Sequence, residues 1–437
     1  MKKILTAALV CTLLCSVPAS AQEAGPAFDE ALSGQQSEEA TRSARSDSSG
    51  PAWEEGADSG QAADRSEETG AQSGQGADGS GNVGSARSEE TTAESRQGSD
   101  GDAVTLLAVG DNLIHKALYE HQYDAATGTY DFNICYDLLR DTIASHDIAV
   151  INQETIYVSD PALYSDYPTF GTPYAVGDAV VNAGFNVVLS ASNHTMDKGL
   201  RGITDTLSYW SVHHPEVQLL GLHDSPEDAA SIDYREVKGI RFALFNYTYG
   251  LNGFSLPAGQ SYRVDLLADQ GKFLQDVRTA ENTADFTICF LHIGEEYQHS
   301  PSAYQVNYVN TLIDAGADLI ICAHPHVIQP CGMVTTQAGN SALVYYSCGN
   351  FLSSQTSLHK LLGGMADVTI ARDESGRVGI TQYDFIPVVS QFGIRPYYQV
   401  VPLTEYTDEL AGEHHVYANE GPFTTQSLWE IWNRYSR

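Results

Sequence analysis

Short apolar runs that each end abruptly in polar residues are the feature of this sequence that most constrains its fold. They are rich in Val and Ile, have the length of a strand and are bounded by turn-forming residues, which is typical of fully buried strands. From residue 104 onward these runs are VTLLAVGDN, DIAVINQE, FNVVLSASNH, RFALFNYTYG, FTICFLHIGEE, ADLIICAHPH and ALVYYSCGN. Helical patterns lie between them, at about 133–145, 174–184, 199–213, 262–281 and 301–315. Strands that alternate with helices predict an α/β layered fold.

Polar side chains stand where these strands end. In layered α/β folds, ligands gather where strands end and loops begin. The run ICAHPH places two histidines one residue apart; they could be aimed at one ion, or they could be a hydrogen-bonded pair that caps a strand. Carboxylate, imidazole and amide groups are the mixture that a borderline or hard divalent ion accepts. The strand ends together offer Asp111, His115, Glu154, Asn193, His194, His292, His324 and His326.

Such a ligand set is compatible with hydrolysis. One carboxylate can bridge two ions, and two ions about 3.5–4 Å apart can clamp the oxygens of an in-line displacement. A histidine that binds neither ion could protonate a leaving oxygen.

The first part of the chain differs in composition from the rest. A basic start and an apolar run at 4–14 precede the small-x-small sequence Ala19-Ser20-Ala21, which predicts an export signal at 1–21 cleaved after its last residue. Residues 22–102 are dominated by Ser, Gly, Ala, Glu, Asp and Gln. Such a segment cannot bury enough apolar surface to offset the entropy of ordering its backbone, so we predict a disordered acidic tether.

Charge and cysteine content argue against two classes of protein. The formal net charge is −33, which argues against nucleic acid as a partner, because phosphate backbones are bound through Lys and Arg. An anionic substrate is not excluded, since bound metal ions can dominate the local field. Five cysteines follow the predicted signal, and this odd number does not favour a disulfide framework. Proximity alone leaves one bridge open, Cys322 to Cys331.

The last part of the chain changes pattern. From about residue 364 the sequence alternates as in an antiparallel hairpin that turns at Glu374-Ser375-Gly376. The terminal PFTTQSLWEIWNRYSR has the pattern of an amphipathic helix. Both are predicted to cover and extend the core.

Six motifs occur in an order that resembles the capsule-synthesis CapA family, which lies within the calcineurin-like metallophosphoesterase superfamily. Between about 104 and 355 they are GDNLIH, NQE, SNHTMDKG, HIGEEY, AHPHVIQP and YSCGNFL. Each is weak alone, but the ordered set is specific. The resemblance implies a four-layer α-β-β-α sandwich of the metallophosphoesterase type with its core at 103–355. Residues 356–437 would complete it with the C-terminal β-hairpin and helix.

The resemblance also implies a site with two divalent metal ions, for which manganese, zinc and iron are candidates. Asp111, His115 and His326 would bind the first ion, and Glu154 would bridge the two. Asn193, His292 and His324 would complete the second ion, and His194 would be the acid or the transition-state stabiliser. The sequence departs from the superfamily pattern in having Glu154 where aspartate is usual and three residues, instead of one, between Asp111 and His115.

Four further residues are candidates for substrate contact. Tyr247, Tyr249 and Asn252 lie in a polar and aromatic loop that could line a pocket. Glu296 could bind substrate or an ion, although structural hydrogen bonding is an equal alternative.

Two functions are predicted. In the first, an exported CapA-like metal-binding protein supports synthesis or export of poly-γ-glutamate or a related anionic surface polymer, with a membrane-bound synthesis complex as a partner. In the second, it is an exported metal-dependent phosphoesterase with a phosphoester substrate. Whether it is a hydrolase at all is left open by the residues.

Overall fold

The computed structural model describes residues 102–393 and 398–437. The predicted export signal at 1–21 and residues 22–101 of the predicted tether lie outside these ranges. Within the two ranges, no helix has both the length and the apolar character needed to cross a membrane.

The strands that form from the apolar runs are buried along most of their length, as those runs predict. In chain order they are β1 (Val104–Asn112), β2 (Tyr123–Asp124), β3 (Thr129–Tyr130), β4 (Ile148–Gln153), β5 (Val187–Leu189), β6 (Gln218–Leu220), β7 (Asp233–Val237), β8 (Ile240–Thr248), β9 (Phe286–His292), β10 (Leu319–Ala323), β11 (Cys331–Thr335), β12 (Ser341–Tyr345), β13 (Asn350–Leu352), β14 (Leu362–Arg372), β15 (Val378–Phe392) and β16 (Tyr398–Pro402).

The helices lie mainly in the connections between parallel strands. In chain order they are α1 (Lys116–His121), α2 (Arg140–Ala144), α3 (Ala175–Ala183), α4 (Gly199–His213), α5 (Pro226–Ala229), α6 (Gln270–Thr283), α7 (Ala303–Ala315), α8 (Asp408–Glu413), α9 (Val416–Glu420) and α10 (Thr425–Tyr435).

Two large sheets organise the strands. The first has the order β16-β15-β14-β1-β4-β5-β6, with β13 paired to the end of β1. The second has the order β11-β12-β10-β9-β8-β7, and β2 and β3 form a small hairpin. Strands β1, β4 and β5 run parallel, as do β8, β9 and β10. Since parallel neighbours need crossover connections, helices cover the sheets.

Three apolar cores separate four layers. Because side chains alternate along a strand, each sheet presents one face to the other sheet and one to helices. Leu106 and Val150 of the first sheet share a core with Phe242 and Ile288 of the second. Helices α3 and α4 pack on the outer face of the first sheet, and α6 and α7 pack on that of the second. The predicted four-layer α-β-β-α sandwich is confirmed.

Two helix predictions differ from the structure. The pattern at 133–145 forms two 3-10 turns, Asn133–Cys135 and Asp137–Leu139, before the short helix α2. The pattern at 262–281 becomes helical only at Gln270, after Asp269, whose side chain accepts a hydrogen bond from the Lys272 N–H as an N-cap. The other three patterns lie within two residues of α3, α4 and α7.

The C-terminal hairpin and helix are present as predicted. Strands β14 and β15 pair antiparallel, and β14 joins β1, so the hairpin extends the first sheet. Its turn is held by the Asp373 carboxylate, which accepts hydrogen bonds from the backbone of Ser375 and Arg377. Helix α10 begins after Thr424, which forms a capping box with Ser427. The five cysteines of the described part are free, so a Cys322–Cys331 bridge is absent.

Candidate metal centre

Asp111 is fixed at the carboxyl end of β1, where β1 and β13 approach each other closely. A Cβ atom on Gly110 would lie 1.9 Å from the carbonyl oxygen of Gly349, so this approach requires glycine at position 110. The fully buried Asp111 carboxylate accepts hydrogen bonds from Asn152 Nδ2 at 2.8 Å and from the His324 backbone N–H at 3.2 and 3.3 Å. The first strand therefore presents this carboxylate to the loop that follows β10.

Glu154 lies just beyond β4 and has the most unusual environment in the site. Both carboxylate oxygens are buried and have no hydrogen-bond partner among the described residues. Burial raises the pKa of Glu154 well above its usual value. Its Oε1 lies 3.7 Å from Nε2 of His292, 3.7 Å from Nε2 of His326 and 3.9 Å from Nε2 of His194. Buried polar groups are nearly always satisfied, so these orphaned oxygens indicate a missing partner.

The loop after β10 holds two histidines in an uncommon backbone conformation. His324 has φ 99° and His326 has φ 58°, and non-glycine residues rarely adopt positive φ because of Cβ crowding. Such strain persists only where the surroundings enforce it, and it is concentrated at functional sites. One ligand atom each from Glu154, His324 and His326 lies within 4.8 Å of the others. The strained loop thus brings both imidazoles to the orphaned carboxylate.

The charge states of the buried histidines suit metal coordination. Burial lowers the pKa of His324 to about 3 and lowers that of His292 well below its usual value, which leaves both imidazoles neutral with a lone pair available. Burial also opposes charge on His326, but Glu154 and Asp111 outweigh it and raise its pKa to about 9. Its Nδ1 lies 3.1 Å from Asp111 Oδ2 and 3.1 Å from Asn350 Oδ1. A cation between these carboxylates would take the place of that proton.

Asn193 and His292 meet across the two sheets. His292 Nε2 lies 2.8 Å from Asn193 Oδ1, and its Nδ1 lies 3.3 Å from Asn152 Nδ2. Asn152 therefore links Asp111 on the first sheet to His292 on the second. The loop that carries Asn193 is held by Ser192, whose hydroxyl donates to the Glu154 carbonyl at 2.6 Å.

His194 is oriented by a carboxylate and an aromatic ring. Its Nδ1 lies 2.7 Å from Asp197 Oδ2, and the ring of Phe170 meets its imidazole edge-on at 4.7 Å between centroids. With the Nδ1 proton donated to Asp197, Nε2 faces Glu154. This is the arrangement of an oriented acid-base histidine.

His115 lies at the margin of the cluster. Its Nδ1 is 3.1 Å from the Leu113 carbonyl oxygen, and its ring packs edge-on against Phe170 at 5.4 Å. Burial lowers its pKa to about 4. The Ser354 backbone N–H lies 3.4 Å from the same ring nitrogen, Nδ1.

Three of the four candidate substrate residues lie close to the cluster, and the fourth does not. A cavity of about 530 Å³ beside His194 is lined by Asn252 and Glu296 together with the exposed rings of Tyr167 and Phe254. Tyr249 contacts the His324 ring at 4.7 Å. Tyr247 is instead buried on the helix-facing side of β8, against Phe273 of α6. Strand alternation turns its ring away from the cluster, so Tyr247 is not part of the site.

Several residues that orient the candidate ligands were not singled out from the sequence. Asn152 follows an apolar run and looks like an ordinary strand residue, while Asp197 stands inside the motif SNHTMDKG. Asn350 contacts His326. The ring of Tyr297 stacks against the His326 imidazole, with 6.0 Å between the ring centroids. The signal available for Asp197 is its spacing, three residues after His194.

Comparison with known proteins gives a consistent picture. The family model described as "Bacterial capsule synthesis protein PGA_cap" matches residues 105–355, more than half of the chain. A PGA biosynthesis protein CapA of Bacillus subtilis is 30% identical over 46% of this chain and 51% of its own length. A capsule biosynthesis protein CapA of Bacillus anthracis is 31% identical over 40% of this chain and 42% of its own length. The aligned part thus spans about half the length of these relatives.

One solved structure of similar architecture is an NAD nucleotidase from Haemophilus influenzae. It is 10% identical, with a TM-score of 0.39, over 76% of this chain and 62% of that chain.

Proposed function

Since the chain belongs to the bacterial capsule synthesis protein family PGA_cap, we propose that it is an exported metal-binding protein that supports synthesis or export of poly-γ-glutamate or a related anionic surface polymer. The observation that carries the metal-binding part is the pair of orphaned, buried oxygens of Glu154 among three imidazoles. The polymer is taken from the relatives, whose printed names refer to PGA and capsule biosynthesis.

The donor set fits two divalent ions that share Glu154. Asp111 and His326 would hold one ion, with His115 at its margin, and Asn193, His292 and His324 would hold the other. Ions bound there would supply positive charge against which an anionic oxygen of the polymer can bind. Around them, Asn152 and Asn350 hold Asp111 and His326 in place, and the outer hydrogen bonds of a metal site commonly fix its ligands in this way.

The metal assignment is tested by elemental analysis of the purified chain. We expect about two equivalents of divalent metal in the wild type and a loss of metal in Asp111→Ala and His326→Ala. His213→Ala, on the exposed end of α4, is the matched control and should retain the wild-type content. Absence of metal from the wild type, even after reconstitution, would remove the proposed ligand set.

The polymer assignment is tested in a strain shown to make surface poly-γ-glutamate. Deletion of the gene should abolish or reduce the polymer, and the wild-type gene should restore it while His326→Ala should not. N-terminal sequencing of the exported protein should start at Gln22. Unchanged surface polymer in the deletion strain would contradict the assignment.

A metal-dependent phosphoesterase is the second candidate, and the pair formed by His194 and Asp197 favours it. Asp197 would hold Nδ1–H of the imidazolium form, whose Nε2–H would give its proton to a leaving oxygen and leave the neutral imidazole. Turnover of a generic phosphodiester by the metal-loaded protein, lost in His194→Ala, would favour this candidate. Absence of turnover with metal bound would favour a binding role.

A further inference from the structure

Lys360 stands beside the candidate metal centre in a position that the ligand set does not explain. It ends the 3-10 turn Leu358–Lys360, between β13 and β14. Its backbone carbonyl accepts a hydrogen bond from Asn350 Nδ2 at 3.0 Å, and Asn350 Oδ1 is the group that contacts His326. The turn is thereby tied to the cluster through a single amide side chain.

The ammonium group of Lys360 rests on an aromatic ring. Its Nζ lies 3.5 Å from the ring centroid of Tyr297, a cation–π contact. Tyr297 has φ 65°, and its N–H donates to the Pro325 carbonyl at 2.8 Å, between the two strained histidines. The centroid of the His326 imidazole lies 6.0 Å from that of the same Tyr297 ring. Tyr297 is therefore close both to the lysine charge and to a candidate metal ligand.

Lys360 has no carboxylate partner in contact among the described residues, and it shares this with Lys198, whose Nζ instead donates to the Thr169 carbonyl at 3.1 Å. The other three lysines of the described part are paired. Lys116 lies 3.4 Å from Glu120, Lys238 lies 2.8 Å from Asp147, and Lys272 lies 2.8 Å from Asp276. No carboxylate oxygen of the described residues lies within salt-bridge distance of Lys360 Nζ. Burial lowers its pKa, although Glu296 and Glu420 act in the opposite direction. The ammonium group is thus partly desolvated, with no carboxylate of the described residues in contact to compensate its charge.

We propose that Lys360 binds a second anionic group of an extended anionic ligand whose first anionic group is held at the metal centre. This inference rests on the proposed function. It identifies the residue that would recognise a polymeric ligand with repeated carboxylates. Lysine suits the role because its ammonium is a point charge on a flexible stem, which can meet a carboxylate without the fixed bidentate geometry of arginine. The Tyr297 ring would hold the charge when no ligand is present.

The test compares ligands with one and with several anionic groups on the metal-loaded full chain. Calorimetry would measure the binding of inorganic phosphate, of poly-γ-glutamate of defined length and of tripolyphosphate. In Lys360→Met we expect about tenfold weaker binding of both extended ligands, the loss of one charge-assisted contact, and phosphate binding within about twofold of wild type. Lys360→Arg should retain most of the affinity. Lys272→Met, which removes an equal charge from a paired lysine, should bind as wild type.

The outcomes separate this inference from the proposed function. Wild-type affinity of Lys360→Met for the extended ligands, or an equal loss for phosphate, would overturn the role of Lys360. If the wild type binds tripolyphosphate with the expected Lys360 dependence but does not bind poly-γ-glutamate, the anion site stands and the polymer assignment falls. If the wild type binds neither extended ligand, both are wrong. Melting curves of the variants check that each is folded.

Discussion

Replacing Glu154 by leucine should stabilise the metal-free protein and at the same time abolish its stabilisation by metal. The side chain of Glu154 is fully buried, and both oxygens lack a hydrogen-bond partner among the described residues. Without an ion, the Glu154 carboxyl group makes no hydrogen bond to a described residue and faces the His326 imidazole only at 3.7 Å, so its burial is poorly compensated. Glu154 is therefore needed to bind metal but lowers the stability of the metal-free protein.

The magnitude follows from the two orphaned oxygens. An unsatisfied buried polar group costs about 1–3 kcal/mol, and leucine has a similar volume without polar atoms. Imperfect repacking of a substituted core position costs about 1 kcal/mol. The free energy of unfolding of metal-free Glu154→Leu should then exceed that of the wild type by up to about 2 kcal/mol. A metal concentration 100-fold above Kd should raise the free energy of unfolding of the wild type by about 2.7 kcal/mol and leave that of the variant unchanged.

Urea unfolding followed by tryptophan fluorescence, with chelator and then with added metal, measures both effects. The order of stability should reverse between the two conditions. Glu120→Leu is the matched control, because Glu120 is exposed on α1 and its ion pair with Lys116 is a surface contact of small value. A leucine variant that is less stable than the wild type without metal, or that gains as much from metal, would refute the reasoning.

Three further predictions concern His194, His223 and Gly110. His194→Ala should keep its metal and lose any phosphodiester hydrolysis, and Asp197→Asn should reduce that hydrolysis; parallel loss of metal, by elemental analysis, would reassign His194 as a ligand. Burial by itself lowers the pKa of His223, but Asp265 at 2.9 Å and Asp228 at 3.4 Å outweigh it and raise the pKa above 6.5. The stability that the charged His223 contributes is fully present below pH 6.5 and is lost as the pH rises through the folded-state pKa. Urea unfolding at several pH values should therefore show that the free energy of unfolding declines more steeply above pH 6.5 for the wild type than for His223→Gln. Parallel curves for the two proteins would contradict this role of His223. Gly110→Ala should lower the free energy of unfolding by about 2 kcal/mol or more, because its Cβ would overlap the Gly349 carbonyl oxygen; Gly379→Ala, where a Cβ meets nothing within 4 Å, is the control and should stay near wild type.

The layered fold could be predicted from the sequence because its signal is local. Buried parallel strands have continuous apolar runs, and such runs alternate here with helical patterns whatever the final packing. The hairpin that turns at 374–376 and the helix at the C-terminus carry equally local signals. At 133–145 the structure depends on contacts with other segments, and there the helical pattern predicts a longer helix than the structure contains.

The candidate ligands could be proposed from the sequence, since polar residues at strand ends have few structural reasons to be there. Which of them meet was decided by the tertiary structure. Tyr247 and Tyr249 are two residues apart, yet Tyr247 packs in the core while Tyr249 contacts His324. Asn152 is indistinguishable from a strand residue until β4 and β9 come together and place it between Asp111 and His292.

The strained histidines show the same division. The sequence determined that a proline separates His324 from His326, and that both follow a buried strand. Only the packed structure holds both at positive φ, where the loop after β10 meets Asp111 of β1 and Tyr297 of the loop after β9. The backbone preference of a non-glycine residue disfavours positive φ, so no pattern of residues along the chain predicts this conformation. It exists because contacts between segments distant in sequence stabilise the loop by more than the strain costs.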